Sequence, residues 1–587
     1  MLSKNKLFLF ISLSFIATLS NNNNILLGIK KNYNTRQKLQ RQLAYRPTGF
    51  NILFQLGNEF YKEKQYSEAI IYYKKSLQKN PTHIHALYNL GLAHLAYKNK
   101  TEEAKEAFIK ITHIQPKNYY AYYQIGSICE KDKQLQQAIA YYEKTIEINP
   151  SCLPALVKLG ILYKDLKNPE TSFFYLEKAL SLDPNNISLI FSAGSTLNDL
   201  GRCKKAADLY LKAAEIDPQN YTAIYNAGYS LKVYGNIDQA INLYNMALEI
   251  NPDYDNATYA IALAYLYKGD FEKGWKYYEN RLIKEKRNAP IIRNGIKTGN
   301  LKGKIIYLIP EGGFGDTIQF IRYIQELKEM GAQVFVSVQP QLYKLISNSP
   351  LIEHLLPPGK KPTVFDDYAT IMSLPALFIS TEETIPKNIP YIFPDKTLEK
   401  KWQEYFTNKD NQYSFETKGK PFRIGLCWQS DLKNDRSRVL CAHRSIPLKK
   451  LEKLSHIPNI EFYSLQKTIN PDHFQDLSKD FVINTFGPDF DTSGAFMDTA
   501  AIMKQLDLII SVDTSIPHLA GAVGAPVWVI LPYNTDWRWI ANREDSPWYP
   551  TMKIFKQPKA FDWDSVVDKV FHALLKKVNS QHDNIRI

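Results

Sequence analysis

The chain has 587 residues, long enough for three or four structural units at about 100 to 200 residues each. Its composition, 44% hydrophobic and 22% charged, matches a soluble globular protein and excludes wholesale disorder and a polytopic membrane protein. Lys and Arg number 73 against 59 Asp and Glu, which gives a net charge of +14. Because lysine is spread along the whole chain and no zinc-finger, RNP or basic-helix signature is present, we interpret the charge as compositional bias and expect no nucleic-acid partner.

The cysteines and the N-terminus bear on location. Five cysteines without a CxxC pair argue against a disulfide framework and favour a reducing compartment. Lys4 and Lys6 precede an apolar run from Leu7 to Leu19, which has the layout of a signal peptide but is too short for an ordinary transmembrane helix. We treat residues 1–47 as a separate segment, a weak anchor or an overlong start. A cytoplasmic protein is expected, with inner-membrane association through this segment as an alternative and secretion less favoured.

A repeat of 34 residues follows. Prolines recur at intervals of 35, 34, 34, 34 and 34 residues, and glycines at 34, 35, 34, 34 and 34. The prolines are Pro81, Pro116, Pro150, Pro184, Pro218 and Pro252, and the glycines are Gly57, Gly91, Gly126, Gly160, Gly194 and Gly228. A small residue follows each glycine after about twelve positions. Each period therefore predicts two amphipathic helices that cross closely at the small residues, with the proline ending the second helix.

This pattern resembles the tetratricopeptide repeat (TPR), as six clear repeats and a degenerate seventh over residues 48–286. Such repeats stack into a solenoid whose inner surface binds peptides. The resemblance implies a protein or peptide partner and no chemistry of its own.

After Arg281 the 34-residue period stops, and strands alternate with helical runs, which predicts parallel α/β sheets. The apolar strand Ile305 to Ile309 leads through a glycine-rich loop, Pro310 to Asp316, into a helix from about Thr317 to Met330. Such a loop lets the backbone approach an anion or a sugar, although it is not a GxGxxG fingerprint. Asp316 is either the N-cap of the helix or a functional carboxylate.

A second block begins with the buried-strand pattern Phe422 to Trp428 and continues into the loop Gln429 to Ile446. This loop carries Lys433, Arg436, Arg438 and Arg444 beside Asp431 and Asp435. Several cations at the end of a strand suit a diphosphate, because arginine makes strong and often bidentate bonds to it. A solvated loop is the open alternative.

The segment Leu506 to Leu531 predicts a compact βαβ unit. Asp513, Thr514 and Ser515 separate the strand from a short helix that ends at Gly524, so the helix N-terminus faces the ligand edge of the sheet, which suits a phosphate. Asp513 and His518 have structural alternatives, a helix cap and a packed side chain. We expect His518 to be neutral beside the positive end of the helix.

These residues together resemble a known enzyme family. The run Asp513 to Ala522 (DTSIPHLAGA), followed by Gly524 to Val527, resembles the D-T-x-x-x-H-L-A-x-A signature of glycosyltransferase family 9, which includes the ADP-heptose:lipopolysaccharide heptosyltransferases. Gly313 to Asp316 resembles the family's G-D loop. Other stretches resemble a bacterial subgroup that joins TPRs to this domain: Met372 to Pro375, Trp428-Gln429, Arg444 to Leu448, Asp498 to Ala501, Asp536 to Trp539 and Ser546 to Pro550.

The resemblance implies a GT-B unit of two Rossmann-like domains, which we place at 302–395 and 421–577 with a linker at 396–420. It implies inverting transfer of a sugar from a nucleotide-sugar donor to an acceptor hydroxyl without a metal or further cofactor. Asp316 is the candidate general base. The candidate donor-binding residues are Gly313, Gly315, Trp428, Arg444, Gln466, Asp513, Thr514, Ser515 and His518. Many heptosyltransferases have lysine where Arg444 lies.

Two functions remain open at this point. In the first, the chain is a glycosyltransferase whose repeats recruit a protein acceptor or partner. In the second, it is a TPR interaction scaffold with a degenerate, non-catalytic GT-B domain. The donor nucleotide and the acceptor are not specified by the sequence.

Overall fold

A computed structural model describes residues 35–46, 49–284, 299–411, 420–430, 444–467, 474 and 476–585, with side chains to residue 580. The chain divides into two compact units, Met1–Thr196 and Leu197–Ile587. No described helix is long and apolar enough to cross a membrane.

The described part of the first unit consists of helices, and its last helix runs three residues beyond the unit boundary. These helices are α1 (35–45), α2 (Phe50–Lys62), α3 (Tyr66–Lys79), α4 (Ile84–Ala96), α5 (Thr101–Ile114), α6 (Tyr119–Lys131), α7 (Leu135–Ile148), α8 (Leu153–Asp165), α9 (Pro169–Leu182) and α10 (Ile187–Asp199). From α2 onward they form antiparallel pairs in step with the 34-residue period, which confirms the predicted helical solenoid.

The period arises from close helix crossings at the repeated glycines. A Cβ atom at Gly57 would lie 2.5 Å from Cε1 of Tyr73, and one at Gly91 would lie 2.6 Å from Cζ of Phe108. The first helix of each pair therefore leaves room at its glycine for a large side chain of the second helix. This packing fills the core without a gap, so the glycine and the large residue must keep their spacing.

The second unit begins with the remaining repeats. Its repeat helices are α11 (Cys203–Ile216), α12 (Tyr221–Tyr234), α13 (Ile237–Ile250), α14 (Asp255–Lys268), α15 (Phe271–Tyr278) and α16 (Asn280–Lys284). The degenerate seventh repeat is thus present as a helix pair, α14 and α15. Here a glycine of the second helix leaves the room, since a Cβ atom at Gly274 would lie 2.5 Å from Cγ of Leu266 on the first helix.

Two parallel sheets follow the repeats. The first has strands β1 (Ile305–Ile309), β2 (Gln333–Val336), β3 (His354–Leu355) and β4 (Asp367–Thr370) in the order β3-β2-β1-β4. The second has β5 (Phe422–Cys427), β6 (Ile460–Ser464), β7 (Ile483–Asn484), β8 (Leu508–Val512), β9 (Val527–Leu531) and β10 (Met552–Lys556) in the order β10-β9-β8-β5-β6-β7. All pairings are parallel, as the alternation of strands and helices predicted.

The helices between and after these strands are α17 (Phe314–Phe320), α18 (Ile324–Glu329), α19 (Tyr343–Ser347), α20 (Leu374–Leu377), α21 (Lys396–Asp410), α22 (Leu448–Leu451), α23 (Met497–Met503), α24 (Ser515–Val523) and α25 (Trp563–Ile585). The single helix expected from Thr317 to Met330 is two helices, α17 and α18, joined by a 3-10 turn over Ile321–Tyr323.

The segment that we expected to be a linker, 396–420, is helical in its first part. Asp395 caps α21 by accepting the N–H groups of Thr397 and Leu398 at 2.9 and 3.1 Å. Trp402 is buried, and its Nε1 donates to Oδ1 of Asp498 at 2.8 Å. The sequence did not indicate a helix here, because α21 buries only two side chains, Trp402 and Phe406, on an otherwise charged surface.

Within the second unit, the last repeats pack against the loop after β9. The Tyr533 hydroxyl donates to the carbonyl of Tyr234 at 2.7 Å, and the N–H of Ala541 donates to the carbonyl of Tyr267 at 2.7 Å. On the side of the first sheet, Nε1 of Trp275 donates to the carbonyl of Ser380 at 2.7 Å. The repeats beyond residue 197 and the two sheets therefore share one compact unit.

Candidate functional site

The glycine-rich loop after β1 ends in a carboxylate that closes on its own loop. The N–H of Gly313 donates to Oδ2 of Asp316 at 2.6 Å. Gly312 has φ +73°, and a Cβ atom there would lie 2.3 Å from the same Oδ2, so only glycine fits. Asp316 therefore caps the start of α17 from within the helix, as in a capping box, although it is not itself the N-cap residue of the structural alternative. Gly313 is the N-cap, and Asp316 lies in the first turn of the helix.

The loop after β8 has the predicted strand-to-helix form, but its cap is Thr514. The Thr514 hydroxyl oxygen accepts the N–H of Ile516 at 3.2 Å, while the Asp513 carboxylate points elsewhere. Oδ2 of Asp513 lies 3.6 Å from Nε of Arg444. Burial raises the pKa of Asp513, and the Arg444 charge opposes that rise without cancelling it.

The two loops meet through their helices. A Cβ atom at Gly315 would lie 2.9 Å from Cδ2 of His518 and 3.5 Å from Cα of Ser515. Gly315 thus lets the first turn of α17 contact the first turn of α24. The carboxyl edges of the two sheets consequently face each other, with Asp316 on one side and Asp513 on the other.

His518 is a buried, neutral member of this contact. Its ring is stacked on Trp539 at 5.2 Å, and its Nδ1 is 3.2 Å from the Tyr549 hydroxyl. Burial, assisted by the nearby positive charge of Arg538, lowers the pKa of His518 to about 3. The imidazole is neutral, as expected, although burial contributes more than the helix end on which the expectation rested.

Arg538 joins the two sides of the site. Its Nη2 donates to Oδ1 of Asp316 at 2.6 Å, its Nη1 to Oδ1 of Asp536 at 2.8 Å, and its Nε to Oε1 of Gln319 at 2.9 Å. The Asp536 to Trp539 motif is visible in the sequence, but the motif alone predicted no role for Arg538. The partner of Arg538, Asp316, lies 222 residues away in the chain, and no local pattern in the sequence connects the two residues.

The carboxylates beside Arg538 respond differently to it. Burial raises the pKa of Asp316 above its ordinary value, and the Arg538 charge only partly offsets this. For Asp536, burial is again the largest single effect and acts to raise the pKa, but the Arg538 charge, the hydrogen bonds from Arg538 and the Arg444 charge together outweigh it, and the pKa is lowered. Asp316 is therefore the more basic of the two carboxylates, which is the property that a proton acceptor needs.

A second group of predicted residues converges at the ends of β5, β6 and β8. Oε1 of Gln466 accepts the N–H of Gln429 at 3.1 Å and lies 3.5 Å from Sγ of Cys427. The Cys427 sulfur is in turn 3.9 Å from the Thr514 hydroxyl. Gln466 and Thr514 are thus brought to one sheet edge, the place where parallel α/β sheets bind ligands.

Trp428 does not share that position. Its side chain is 1% exposed and packs in the core on one face of the second sheet, 6.3 Å from the Phe474 ring. The structure therefore gives Trp428 a packing role, and any contact with a donor would have to come from its backbone. The loop residues Lys433, Arg436, Arg438, Asp431 and Asp435 lie outside the described residues.

The described residues contain no group of three or more His, Cys, Asp or Glu side chains placed to hold a metal ion.

Comparison with known proteins characterises the repeats. Tetratricopeptide repeat family models match residues 50–83, 85–118, 119–152 and 153–186. Protein FlbA of Caulobacter vibrioides is 24% identical over 337 residues, which is 54% of each chain, so the chain spans about half the length of this curated relative. Residues 50–186 are therefore tetratricopeptide repeats, and such repeats imply a role in protein interaction.

Two solved structures are similar to part of the chain. YrrB, described as a TPR protein with an unusual peptide-binding site, is 24% identical and covers 32% of this chain and 96% of its own, with a TM-score of 0.30. The C-terminal part of a TPR protein from Cytophaga hutchinsonii is 17% identical and covers 40% and 96%, with a TM-score of 0.35.

Proposed function

We propose that this chain is a glycosyltransferase of the GT-B type, similar to family 9, which transfers a sugar from a nucleotide-sugar donor to an acceptor hydroxyl. The observation that carries the proposal is the meeting of two sheet edges at Gly315 and His518, with the Asp316 carboxylate beside the contact. Two parallel α/β sheets that face each other through their carboxyl ends form the kind of cleft in which such a donor binds.

Asp316 is the proposed general base. It removes the proton of the acceptor hydroxyl as that oxygen forms a bond to the anomeric carbon and the bond from this carbon to the diphosphate breaks. The nucleoside diphosphate leaves from the opposite face, so the transfer inverts the anomeric centre. The raised pKa of Asp316 and its 23% exposed side chain, reachable by a substrate, support this role.

The donor diphosphate is proposed to bind at the N-terminus of α24. The free N–H groups and positive dipole end of this helix favour an anion. Arg444, paired with Asp513 at 3.6 Å, adds a cation at the same edge. Growing negative charge on the leaving diphosphate is stabilised by such fixed donors, without a metal, by an amount that reaches several kcal/mol in other enzymes.

Binding tests the donor site before any acceptor is known. We expect one class of nucleotide sugar or nucleoside diphosphate to raise the unfolding temperature of the full chain, because a ligand at 100 times its Kd adds about 2.7 kcal/mol to stability. The shift should be lost in Arg444→Ala. It should persist in Lys450→Ala, which removes an exposed cation paired with Asp564 on the outside of the same sheet domain. A full panel without any shift would contradict the donor site.

One observation favours the scaffold alternative. Asp316 already accepts bonds from Arg538 at 2.6 Å and from the N–H of Gly313 at 2.6 Å, and a carboxylate held in this way also serves as a purely structural residue. In that case the repeats bind their protein partner and the two sheets form a degenerate, non-catalytic domain. Nucleotide-sugar binding without transfer would favour this second function, whereas turnover that depends on Asp316 would exclude it.

For both functions, we propose that the repeats bind a protein or peptide partner, as their solenoid fold suggests. For the enzyme, that partner is the acceptor or the protein that delivers it.

A further inference from the structure

A buried arginine of the last repeat helix reaches the loop that carries Asp316. Arg281, in α16, is 5% exposed and forms a bidentate ion pair with Glu311. Its Nε lies 3.0 Å from Oε1 of Glu311, and its Nη2 lies 2.9 Å from Oε2. Glu311 is 6% exposed and directly precedes Gly312 and Gly313. Both carboxylate oxygens of Glu311 are therefore fixed by a residue of the repeats.

The same guanidinium also binds the end of β4 and the turn that follows it. Nη2 of Arg281 donates to the hydroxyls of Ser373 at 2.7 Å and Thr370 at 3.2 Å. Thr370 ends β4, the neighbour of β1 in the first sheet, and Ser373 belongs to the turn that follows β4. Glu279 completes the network, since it accepts from Nη1 of Arg281 at 2.5 Å and from the Ser373 hydroxyl at 3.0 Å.

That turn packs directly on the glycine-rich loop. A Cβ atom at Gly312 would lie 2.8 Å from Sδ of Met372, on one side, and 2.3 Å from Oδ2 of Asp316, on the other. Gly312 is thus confined between the turn and the carboxylate. Arg281 binds the residue before Gly312 and the residue after Met372, so it fixes both the chain that leads into Gly312 and the turn that packs against it.

The loop leaves little freedom between its two fixed points. Glu311 is anchored to Arg281, and two residues later the N–H of Gly313 donates to Asp316 at 2.6 Å. Release of Glu311 would let Gly312 and Gly313 move and would lengthen this hydrogen bond. A charge-assisted bidentate pair has strict geometry, which suits it for holding a backbone in one position.

We infer that Arg281 is a positioning residue of the candidate site, through which the last repeat fixes the glycine-rich loop and, by way of Gly313, the Asp316 carboxylate. The catalytic part of this inference rests on the proposed function, whereas the structural part does not. The last repeat is therefore a component of the site, and a chain shortened to the two sheets would lack the cation that holds Glu311.

Hydrogen exchange of the full chain tests the structural part. Arg281→Gln is expected to accelerate amide exchange in 311–316 at least about tenfold, while 508–523 keeps its protection. Arg281→Lys, which retains the charge but not the bidentate geometry, should give a smaller acceleration in the same segment. If Arg281→Gln does not fold, Glu311→Gln takes its place, since it removes the pair while leaving the side-chain volume unchanged.

Arg423→Lys is the matched control. Arg423 is also a buried arginine, 1% exposed and paired with Asp410, but it lies on β5 and contacts Phe406 and Glu461 instead of the glycine-rich loop. The substitution Arg423→Lys should lower the unfolding temperature and leave amide hydrogen exchange in 311–316 unchanged. Equal acceleration of that segment by Arg423→Lys, or no acceleration by Arg281→Gln, would overturn the inference.

Kinetics tests the catalytic part. Once a donor and an acceptor are known, Arg281→Lys should lower kcat at least about tenfold with an unchanged donor Kd, because displacement of a catalytic group by about 1 Å costs up to about 100-fold. Unchanged kcat together with faster exchange would overturn the catalytic role. If the wild-type chain transfers no sugar, the proposed function fails, and the exchange result still decides whether Arg281 positions the loop.

Discussion

The burial of His518 predicts a specific dependence of stability on pH. In the folded chain its pKa is lowered to about 3, whereas in the unfolded chain the imidazole returns to its ordinary value of 6.5. Between these two values the unfolded state binds a proton that the folded state does not bind. Stability is therefore full above pH 6.5 and falls as the pH decreases toward 3, the sign expected for a group whose folded pKa is lowered.

The size of the effect follows from the shift. Each pH unit below 6.5 costs about 1.4 kcal/mol of unfolding free energy, so at pH 5.0 the contribution of His518 amounts to about 2 kcal/mol. His518→Gln removes the titrating group and keeps a polar side chain next to Tyr549. We expect the free energy lost between pH 7.5 and pH 5.0 to be smaller in His518→Gln than in the wild type by about 2 kcal/mol.

Urea unfolding followed by tryptophan fluorescence is a suitable assay. All eight tryptophans lie between Trp275 and Trp563, so the signal reports the second unit alone. Leu519→Val serves as a control, because Leu519 is the fully buried neighbour of His518 and this change should cost about 1 kcal/mol equally at both pH values. Parallel pH dependence of His518→Gln and the wild type would refute the assignment of a buried, neutral imidazole.

Three further outcomes are expected. Asp316→Asn should lower turnover at least about 100-fold while donor binding stays within the wild-type range, and retained turnover would contradict its role as base. Gly521→Ala places a Cβ atom 2.2 Å from Cδ1 of Tyr549 and should destabilise the second unit by about 1 to 3 kcal/mol in the fluorescence assay. Gly91→Ala places a Cβ atom 2.6 Å from Cζ of Phe108 and should lower the stability of the first unit by about 1 to 3 kcal/mol. Circular dichroism should show this as loss of helix at a lower temperature. Melting at the wild-type temperature would show that the first unit adjusts at its helix crossings.

The sequence predicted those features that depend on neighbouring residues. The 34-residue period indicated the helix pairs because a glycine meets a large side chain 16 or 17 positions later, within one repeat, as Gly57 meets Tyr73. The strand β1 was predicted with its observed bounds, and β8 differed by two residues at its start. Apolar runs bounded by turn residues are a local signal, and this signal sufficed for the fully buried β8 and for β1, in which only alternate residues are buried.

Helix α21 and Trp428 show where local patterns were insufficient. The sequence indicated only a linker at 396–420 and no helix, because Trp402 and Phe406 alone face the core in α21, and a single pair four residues apart gives a weak periodic signal. The sequence predicted that Trp428 binds the donor. An aromatic side chain at the end of a strand can, however, lie on either face of the sheet, and the sequence does not specify which. Its position in the core depends on Phe474 and the other side chains of that face.

The sequence by itself determined the repeats, the alternation of strands and helices, and the positions of Asp316, Asp513 and His518 at the junctions between a strand and the following helix. Only the tertiary structure revealed the connections between these elements. Arg538 meets Asp316 across 222 residues, and Arg281 meets Glu311 across the change from repeats to sheets. Charged side chains carry no periodic signal of burial, so their pairing becomes visible only when the packing of distant segments removes them from water.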